Sequence, residues 1–386
     1  MRQRDDEPVH EPLVTHVPLE TQIPLVTHVL GARPNVMKAA PVIRALRGGA
    51  DRGSSRVVQR IVHTGQHYDD ELSGVFFREL GVQAPDVNLG VGSGSHAVQT
   101  AAAMVGIEAD LVAHPPRLLV VYGDVNSTLA GALAAAKLQV PVAHVEAGLR
   151  SFDPSMPEEL NRRLTDAAAD LLFVTSPEGV DHLAAEGIDP GRVHLVGNPM
   201  IDTLCSVLDR LDAPSVLQRL GVTAPFGVVT LHRPANVDDA ERTQELVDAL
   251  LEVACDLPLV ASLHPRGRQQ LDAAGLRDHP RIVVTDPLGY LDFVALLSAA
   301  AVVVTDSGGV QEETTALGVP CLTVRPNTER PITVSHGTNR LVGPRDLAGA
   351  VTAAMAPRAP VVPLPLWDGD AGSRIADTIV RWLRDR

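Results

Sequence analysis

Short apolar runs, rich in valine, isoleucine and leucine, alternate with alanine-rich segments along most of the chain. Such runs are typical of parallel strands that are buried on both faces. The segments between them carry apolar residues at three- and four-residue spacing, which predicts helices. The predicted strands are Leu25–Leu30, Val57–His63, Arg117–Tyr122, Val140–Val145, Leu171–Thr175, Val193–Val196, Phe226–Leu231, Pro258–Leu263, Ile282–Thr285, Val302–Thr305 and Pro320–Val324. The clearest predicted helices are Pro34–Leu46, Asn126–Leu138, Ala240–Val253 and Leu291–Ala301.

The strands and helices form two successive series, which predicts two domains. We expect an α/β fold with two Rossmann-like, doubly wound parallel-sheet domains that face each other across a cleft. Ligands of such folds bind at the carboxyl ends of the strands. We expect a flexible tail over residues 1–21, a first domain over 22–198 and a second, nucleotide-binding domain over 199–370. The final helix, residues 371–386, is expected to pack back on the first domain.

Composition and charge restrict the possible partners. The chain has 386 residues, of which 45% are hydrophobic and 21% charged, and its formal net charge is −14. This acid excess argues against nucleic acid and anionic membranes as partners. The longest apolar stretch, Phe293–Val304, is too short to cross a bilayer, and the N-terminal residues lack the apolar core of a signal peptide. A cytoplasmic location is therefore expected. The three cysteines lie far apart and suggest neither a disulfide framework nor a metal cluster.

The turn Gly31–Lys38 follows the first predicted strand and opens the first predicted helix. Free N–H groups at a helix N-terminus attract anions, and Arg33 and Lys38 add two cations at this point. The glycines of the dinucleotide motif G-x-G-x-x-G are absent, which argues against a dehydrogenase. The alternative interpretation is an ordinary helix start with surface cations.

The turn T-D-S-G-G-V-Q-E-E is the counterpart in the second domain, and it follows strand Val302–Thr305. Ser307, Gly308 and Gly309 offer bare backbone that can approach a phosphate at the start of a helix. Glu312 and Glu313, one turn later, have the chemistry to bind ribose hydroxyls. A plain tight turn would not need both glycines and the acidic pair.

Carboxylates follow two neighbouring strands of the first domain. Asp124 and Glu146 stand at these strand ends, so both are expected at one sheet edge. Like charges in a shared site raise one pKa, which would separate a proton acceptor from a donor. Glu158 and Glu159 open a helix, where acidic side chains are common because of the helix dipole; for Glu159 that explanation suffices.

Histidine with a nearby arginine ends two strands of the second domain, as His232-Arg233 and as His264 with Arg266. A single histidine at a strand end is usually structural. Two such pairs at one sheet edge fit diphosphate ligands or proton carriers better. Metal binding is not expected, because paired spacing such as H-x-x-x-H is absent.

Together these residues closely resemble the non-hydrolysing UDP-N-acetylglucosamine 2-epimerases. The matching stretches occur in family order over nearly the whole chain after residue 24. They are Gly31–Pro41, Val62–Tyr68, Tyr122–Thr128, His144–Arg150, Pro157–Arg163, Val196–Asp202, Leu231–Asp238, Thr305–Pro320 and Thr328–Gly343. The resemblance implies a GT-B-like fold, a homodimer, UDP-N-acetylglucosamine and UDP as ligands, and no organic cofactor or required metal.

The resemblance also implies roles for individual residues and a reaction. The implied reaction inverts C2 reversibly, through loss of UDP to a 2-acetamidoglucal and re-addition of UDP. The implied catalytic residues are Asp124, Glu146, Glu158 and His232. The implied substrate-binding residues are Arg33, Lys38, Gln66, Arg162, Arg233, His264, Ser307, Gly308, Gly309, Glu313 and Arg330.

Three departures from the family pattern qualify this resemblance. Ala32 and Asn35 stand where G-T-R-P-E is common, and His232–Asn236 lacks the acidic residue of the common H-R-x-E-N. After His67 the chain reads Y-D-D, whereas members activated by their own substrate carry H-R-E-M, which argues against such activation.

Three alternatives follow from the same motifs. They are a hydrolysing epimerase that releases UDP and N-acetylmannosamine, a GT-B glycosyltransferase, and a nucleotide-sugar-binding protein without activity. The three carboxylates of the first domain argue against the transferase, whereas the sequence leaves the hydrolysing epimerase open.

Overall fold

Two parallel β-sheets, each with helices on both faces, organise the part of the chain that the structure describes. The structure is a computed structural model and describes residues 23–49, 57–65, 77–263, 265–356 and 364–386. The strands of the first sheet are β1 (Leu25–Leu30), β2 (Val58–His63), β3 (Val87–Asn88), β4 (Leu118–Tyr122), β5 (Val142–Ala147), β6 (Leu171–Val174) and β7 (Val193–Leu195). Those of the second sheet are β8 (Gly227–Thr230), β9 (Leu259–Ser262), β10 (Ile282–Thr285), β11 (Val302–Thr305), β12 (Cys321–Thr323) and β13 (Asn339–Leu341).

Helices connect successive strands and cover the sheets. The helices before the second sheet are α1 (Arg33–Gly49), α2 (His96–Ala113), α3 (Asn126–Lys137), α4 (Pro157–Ala168), α5 (Pro177–Ala185), α6 (Pro199–Cys205) and α7 (Ala213–Leu220). Those that follow are α8 (Pro234–Val237), α9 (Ala240–Asp256), α10 (Pro265–Ala273), α11 (Tyr290–Ala299), α12 (Gly308–Leu317), α13 (Ile332–Ser335), α14 (Leu347–Ala354) and α15 (Ala371–Arg384).

The strand order confirms the predicted doubly wound α/β fold. In the first sheet it is β3-β2-β1-β4-β5-β6-β7, and in the second it is β10-β9-β8-β11-β12-β13, with parallel pairing throughout. Each order reverses beside its first strand, so the carboxyl ends of β1 and β4, and of β8 and β11, flank a crevice suited to a ligand.

Two edge strands, β3 and β13, were not predicted. They contain only two and three residues, respectively, and Asn88, Asn339 and Arg340 interrupt their apolar character. Pairing with β2 and β12 holds them in the sheet, and this pairing leaves no periodic signal in so short a segment.

Alternate residues of each strand face different apolar cores. On one face of the first sheet, Val26 and Leu30 pack with α1 and with Ile375 and Ile379 of the final helix α15. The opposite face packs against α2 and α3, and both faces of the second sheet are covered in the same way. The last helix of the chain therefore packs against α1 on the first sheet.

Candidate active site

The carboxyl ends of β4 and β5 place two acidic side chains beside each other. Asp124 comes directly after β4, and Glu146 lies in β5, whose pairing with β6 shifts register between Val145 and Ala147. The backbone at Glu146 has a φ of 76°, a left-handed conformation that costs a non-glycine residue about 1–3 kcal/mol. This bulge turns the Glu146 side chain into the space above the sheet.

The Glu146 side chain contacts cations from both halves of the molecule. Its carboxylate is 2% exposed and forms an ion pair with Lys38 of α1. Its other oxygen accepts a hydrogen bond of 3.0 Å from Arg330, which follows β12 of the second sheet. Gly123 makes room for this arrangement, because a Cβ at that position would lie 2.7 Å from the Lys38 amine. One carboxylate thus joins a cation from each half of the molecule.

Arg330 is surrounded by carboxylates. Besides Glu146, its guanidinium lies 2.9 Å from Glu312 and 2.6 Å from Glu329. Burial raises the pKa of Glu312 to about 7; Arg330 opposes this shift and Glu146 adds to it. Burial acts in the same direction on Glu329, but the guanidiniums of Arg330, Arg325 and Arg233 outweigh it and hold its pKa well below the usual range. The cluster therefore combines an ionised carboxylate with one that titrates near neutral pH.

Asp124 is held by Arg162 of α4. The Arg162 Nη1 atom lies 2.5 Å from Asp124 Oδ2, and its Nη2 lies 2.6 Å from Glu159. Burial alone would raise the pKa of Asp124, but Arg162, Lys38 and Arg330 outweigh it and lower the pKa. The sequence-based expectation that two like charges would raise one pKa of this pair is not seen at Asp124, because cations lie between and around the carboxylates.

The two acidic residues at the start of α4 differ in their surroundings. Glu159 is buried, accepts hydrogen bonds from the Ser151 and Phe152 N–H groups at 2.9 and 3.2 Å, and binds Arg162. The explanation of Glu159 by the helix dipole alone was therefore incomplete. Glu158 is half-buried, and within the described ranges its side chain has no hydrogen bond or ion pair, so it is available to a ligand.

Buried His144 and Asp166 hold the turns that carry the two acidic residues. His144 Nε2 donates to the Gly123 carbonyl at 2.7 Å, and Nδ1 lies 2.6 Å from Asp166. Asp166 also accepts from the Gly148 N–H at 3.1 Å and pairs with Arg150 at 2.8 Å. Burial would raise the pKa of Asp166, but His144 and Arg150 outweigh it and lower the pKa. One fully buried network thus fixes the backbone on both sides of Glu146 and next to Asp124.

At the end of β8, His232 is paired with the buried Asp306. The His232 Nδ1 atom lies 2.8 Å from Asp306, whose oxygens also accept from the N–H groups of His232 and Arg233 and from the amide of Asn236. Arg233 in turn lies 3.4 Å from Glu329. The outer nitrogen of His232 remains on the half-exposed side of the ring, where it can exchange a proton with a ligand.

The glycine-rich turn before α12 packs directly on Arg330. Ser307 precedes the helix, and its N–H donates to Thr305 Oγ1 at 3.0 Å. A Cβ at Gly308 would lie 2.2 Å from Arg330 Nη1, so any larger residue there would displace the guanidinium from its present position. Gly309 lies close to Met200 of α6.

Glu313, in the same helix α12, faces Arg33 of α1. Burial raises the pKa of Glu313 to about 7; the Tyr290 hydroxyl and Arg33 oppose this and Glu312 adds to it. Burial lowers the pKa of Arg33, against the influence of Glu313 and Glu79. The predicted ribose-binding carboxylate thus lies near a cation of the first sheet.

Of the predicted site residues, Gln66 and His264 lie outside the described residues. The structure brings most of the others to the two facing sheet edges. Two acidic residues of this site, Asp306 and Glu329, were given no role from the sequence, and Glu159 was explained by the helix dipole alone. Asp306 directly follows strand β11 and Glu329 stands next to Arg330, so the sequence carried a signal for both.

Within the described residues, no group of three histidine, cysteine or acidic side chains is placed to hold a metal ion. None of the helices in the same ranges has the length and apolar character needed to span a membrane.

Asn35, which departs from the common family turn, links the turn before α1 to strand β4 through hydrogen bonds. Its side-chain oxygen accepts from the Gly31 and Ala32 N–H groups at 3.0 and 2.9 Å, and its amide donates to the Tyr122 carbonyl at 2.7 Å. We expect Asn35→Ala to lower the free energy of unfolding by about 1–3 kcal/mol, since buried polar groups lose their partners. Urea denaturation measures this. The free energy of unfolding of Asn35→Asp, which keeps the acceptor oxygen, should lie between those of the wild type and Asn35→Ala. A free energy of unfolding that is unchanged in Asn35→Ala would contradict the assignment.

Known proteins were compared with the chain. A family described as UDP-N-acetylglucosamine 2-epimerase matches residues 51–380. The UDP-N-acetylglucosamine 2-epimerase of Methanocaldococcus jannaschii is 41% identical over 325 residues, which cover 82% of this chain and 87% of the relative. The UDP-2,3-diacetamido-2,3-dideoxy-D-glucuronate 2-epimerase of Pseudomonas aeruginosa is also 41% identical, over 320 residues and with the same coverage.

A solved structure shows the same fold. The crystal structure of the M. jannaschii UDP-GlcNAc 2-epimerase, in complex with UDP-GlcNAc and UDP, matches with a TM-score of 0.84 and 38% identity. The match covers 92% of this chain and 99% of that one. It confirms the expected GT-B-like arrangement of two parallel sheets.

Proposed function

Because the chain belongs to the UDP-N-acetylglucosamine 2-epimerase family, we propose that it interconverts UDP-N-acetylglucosamine and UDP-N-acetylmannosamine by inverting C2. The observation that carries this proposal is the junction at Glu146, where carboxylates and cations from both sheets converge. The reaction needs acid/base groups and cations within one closed site, and this junction supplies both.

The proposed chemistry proceeds by elimination and re-addition. C2 of a pyranose has no neighbouring carbonyl, so its proton is not acidic by itself. A base removes this proton while the C1–O bond to UDP breaks, which leaves a 2-acetamidoglucal with a C1=C2 double bond. A proton then returns to C2 from the opposite face, and UDP adds back at C1. Oxidation states at the end equal those at the start, so the route needs no redox cofactor.

The residues of the site match these steps. Asp124, Glu146 and Glu158 are the proposed acid/base groups, and the depressed pKa of Asp124 supports its role as an ionised carboxylate. Lys38 and Arg330 would stabilise negative charge on the departing diphosphate. His232 is a further proton carrier, held by Asp306.

The remaining site residues are assigned to binding. Contacts to the substrate are proposed for the residues of the two strand-end turns and their arginines: Arg33, Arg162, Arg233, Ser307, Gly308, Gly309 and Glu313. Water must be excluded, because it would divert the intermediate to free sugar. The contact between Arg330 and Glu146 joins the two sheets and would close the site.

A second candidate substrate is UDP-2,3-diacetamido-2,3-dideoxy-D-glucuronate. The P. aeruginosa epimerase named for this compound is as similar to the chain as the M. jannaschii enzyme, at 41% identity. The inversion at C2 would be the same, and the difference lies in the substituents at C3 and C6 of the sugar.

Incubation with each nucleotide sugar in D₂O, followed by NMR at C2, tests the proposal. Deuterium at C2, together with the epimeric UDP-sugar and little free sugar, is the expected result for the true substrate. Release of UDP and free N-acetylmannosamine would identify the hydrolysing alternative. A protein that binds but does not exchange the C2 proton with either substrate would not be an epimerase.

A homodimer is proposed from an apolar face of the first sheet's helices. On α2, Val98, Val105 and Val112 are 63%, 64% and 63% exposed, and their seven-residue spacing places them on one side. Helix α3 packs against both α2 and α4, and α4 exposes Leu160 and Leu164. Exposed apolar residues in such an array mark an interaction surface, and a second copy of the chain is the proposed occupant.

The substitution Val105→Glu tests this surface, because it places a charge at the centre of the stripe. We expect the wild-type protein to be a dimer in sedimentation or light scattering and Val105→Glu to shift it toward monomer. Met355→Glu is the matched control, since Met355 is 44% exposed but belongs to the second sheet's helices. A monomeric wild-type protein, or an unaffected dimer in Val105→Glu, would refute the assignment.

A further inference from the structure

Away from the strand ends, a cavity of about 230 Å³ lies between α1, residues 77–81 and the stretch that follows α6. Arg44, Arg78 and Arg210 line it, together with Ser206 and Glu79. Arg44 and Ser206 also line a neighbouring cavity of about 470 Å³; the smaller, arginine-lined cavity is called the groove below. Arg44 lies nearly two helical turns beyond Lys38 on α1, which separates this groove from the candidate active site.

The three arginines lack carboxylate partners in the described ranges. In those ranges the side chains of Arg44 and Arg78 form no hydrogen bond or ion pair, and the Arg210 side chain donates only to the Glu79 main-chain carbonyl, at 2.9 Å. The Glu79 carboxylate accepts instead from the Tyr290 N–H at 3.3 Å. Within the described residues, the groove therefore presents three guanidinium groups that form no ion pair, beside the single carboxylate of Glu79.

The other nearby acid, Asp202, is also engaged. Its two oxygens accept from the Ala371 and Gly372 N–H groups at the start of α15, at 3.1 and 2.6 Å. The charge of Asp202 raises the pKa of Arg44 without a direct ion pair. Burial is the larger effect and lowers the pKa of that arginine.

We propose that this groove is a second binding site, specific for a small oxyanion with a single phosphate group, either free or as a monoester. Arginine forks match phosphate oxygens in bidentate geometry, and the Ser206 hydroxyl adds a neutral donor. The volume of the arginine-lined cavity lies below the roughly 300–1,000 Å³ typical of sites for larger organic ligands. The arginine-lined cavity alone is therefore too small for a nucleotide sugar, and its lining residues are distinct from those of the candidate active site.

The groove is placed where an anion would affect the arrangement of the two sheets. Arg44 belongs to α1 of the first sheet, whereas Arg210 belongs to the connection between α6 and α7, and α7 packs against α11 of the second sheet. A phosphate bound to both arginines would tie α1 to this connection. It would stabilise the arrangement in which Arg330 reaches Glu146.

Titration calorimetry with the full chain tests the site, using inorganic phosphate and glycerol 3-phosphate in separate arms at constant ionic strength. We expect binding of at least one of them, and a dissociation constant raised about tenfold or more in Arg44→Gln and in Arg210→Gln, since each removes a charge-assisted hydrogen bond. Tighter binding of glycerol 3-phosphate would identify a phosphate monoester as the preferred ligand. Equal affinities would show that the phosphate group alone accounts for binding.

Arg47→Gln is the matched control, because Arg47 is an exposed arginine one turn from Arg44 on α1 and contacts Gln83 instead. Thermal denaturation of each variant checks that the fold is retained. The proposal is overturned if neither anion binds, if Arg47→Gln weakens binding as much as Arg44→Gln, or if saturating UDP abolishes phosphate binding, which would place the phosphate in the nucleotide site.

Discussion

Turnover of UDP-N-acetylglucosamine should fall by at least about 10²-fold when Glu146 is replaced by glutamine, the loss typical of a missing general acid/base group. Glutamine has nearly the same shape but only one acceptor oxygen, so it can keep a hydrogen bond to only one of Lys38 and Arg330. It also has no negative charge and cannot accept the C2 proton. Asp124→Asn should cause a loss of similar size, because Asp124 is the neighbouring carboxylate and its low pKa keeps it ionised.

The measurement is the rate of C2 exchange in D₂O, combined with UDP affinity from calorimetry. Near-normal affinity with slow exchange assigns Glu146 to the chemical step. Glu252→Gln on α9 is the control, since it is an exposed glutamate far from both strand ends. Exchange at the normal rate in Glu146→Gln would remove this residue from the mechanism.

Arg330→Met should lower both stability and activity. The substitution leaves the buried carboxylates of Glu146, Glu312 and Glu329 without their shared cation. Removal of one partner from a buried ion pair costs about 3–5 kcal/mol. The same variant loses the contact between the two sheets and the charge that would stabilise the departing diphosphate, so exchange at C2 should also become very slow.

The stability loss of Arg330→Met should depend on pH. The pKa of Glu312 is about 7 with Arg330 present, above its ordinary value, so this group favours folding at low pH and that contribution is lost as pH rises through 7. Without Arg330 its pKa rises further, and the low pKa of Glu329 rises toward its ordinary value. The difference in Tm from the wild type should therefore be larger at pH 8 than at pH 6. Arg340→Met, at an exposed position of β13, is the control; equal losses at both pH values would contradict the cluster.

Periodicity was sufficient to predict the fold because most strands are continuous apolar runs. Leu25–Leu30 and Ile282–Thr285 have the predicted bounds, whereas the short edge strands β3 and β13 depend on pairing with their neighbours. Elements buried on both faces are therefore specified by their own residues, and edge elements are specified by the sheet beside them.

The site residues that follow the ends of strands could be predicted from the sequence. Asp124 and Glu146 follow neighbouring strands, and parallel pairing brings them together. The left-handed backbone of Glu146 and the contact of Arg330 across the two sheets depend on tertiary packing and have no local sequence signal. Asp306 looked like a residue of an ordinary turn because its partner His232 becomes its neighbour only in the folded chain. Glu159 looked like an ordinary helix start because the Ser151 and Phe152 N–H groups that it binds come beside it only on folding.

The position of α15 has a consequence for synthesis of the protein on the ribosome. Ile375, Ile379 and Leu383 complete the apolar core that begins with Val26 and Leu30, although almost the whole chain separates these two groups. Domains that are contiguous in sequence can fold while the remainder is still being translated. Here the apolar face that α1 partly covers gains its last cover only when residues 375–383 have left the exit tunnel, so we expect the first sheet to complete its packing later than its strand order alone would suggest.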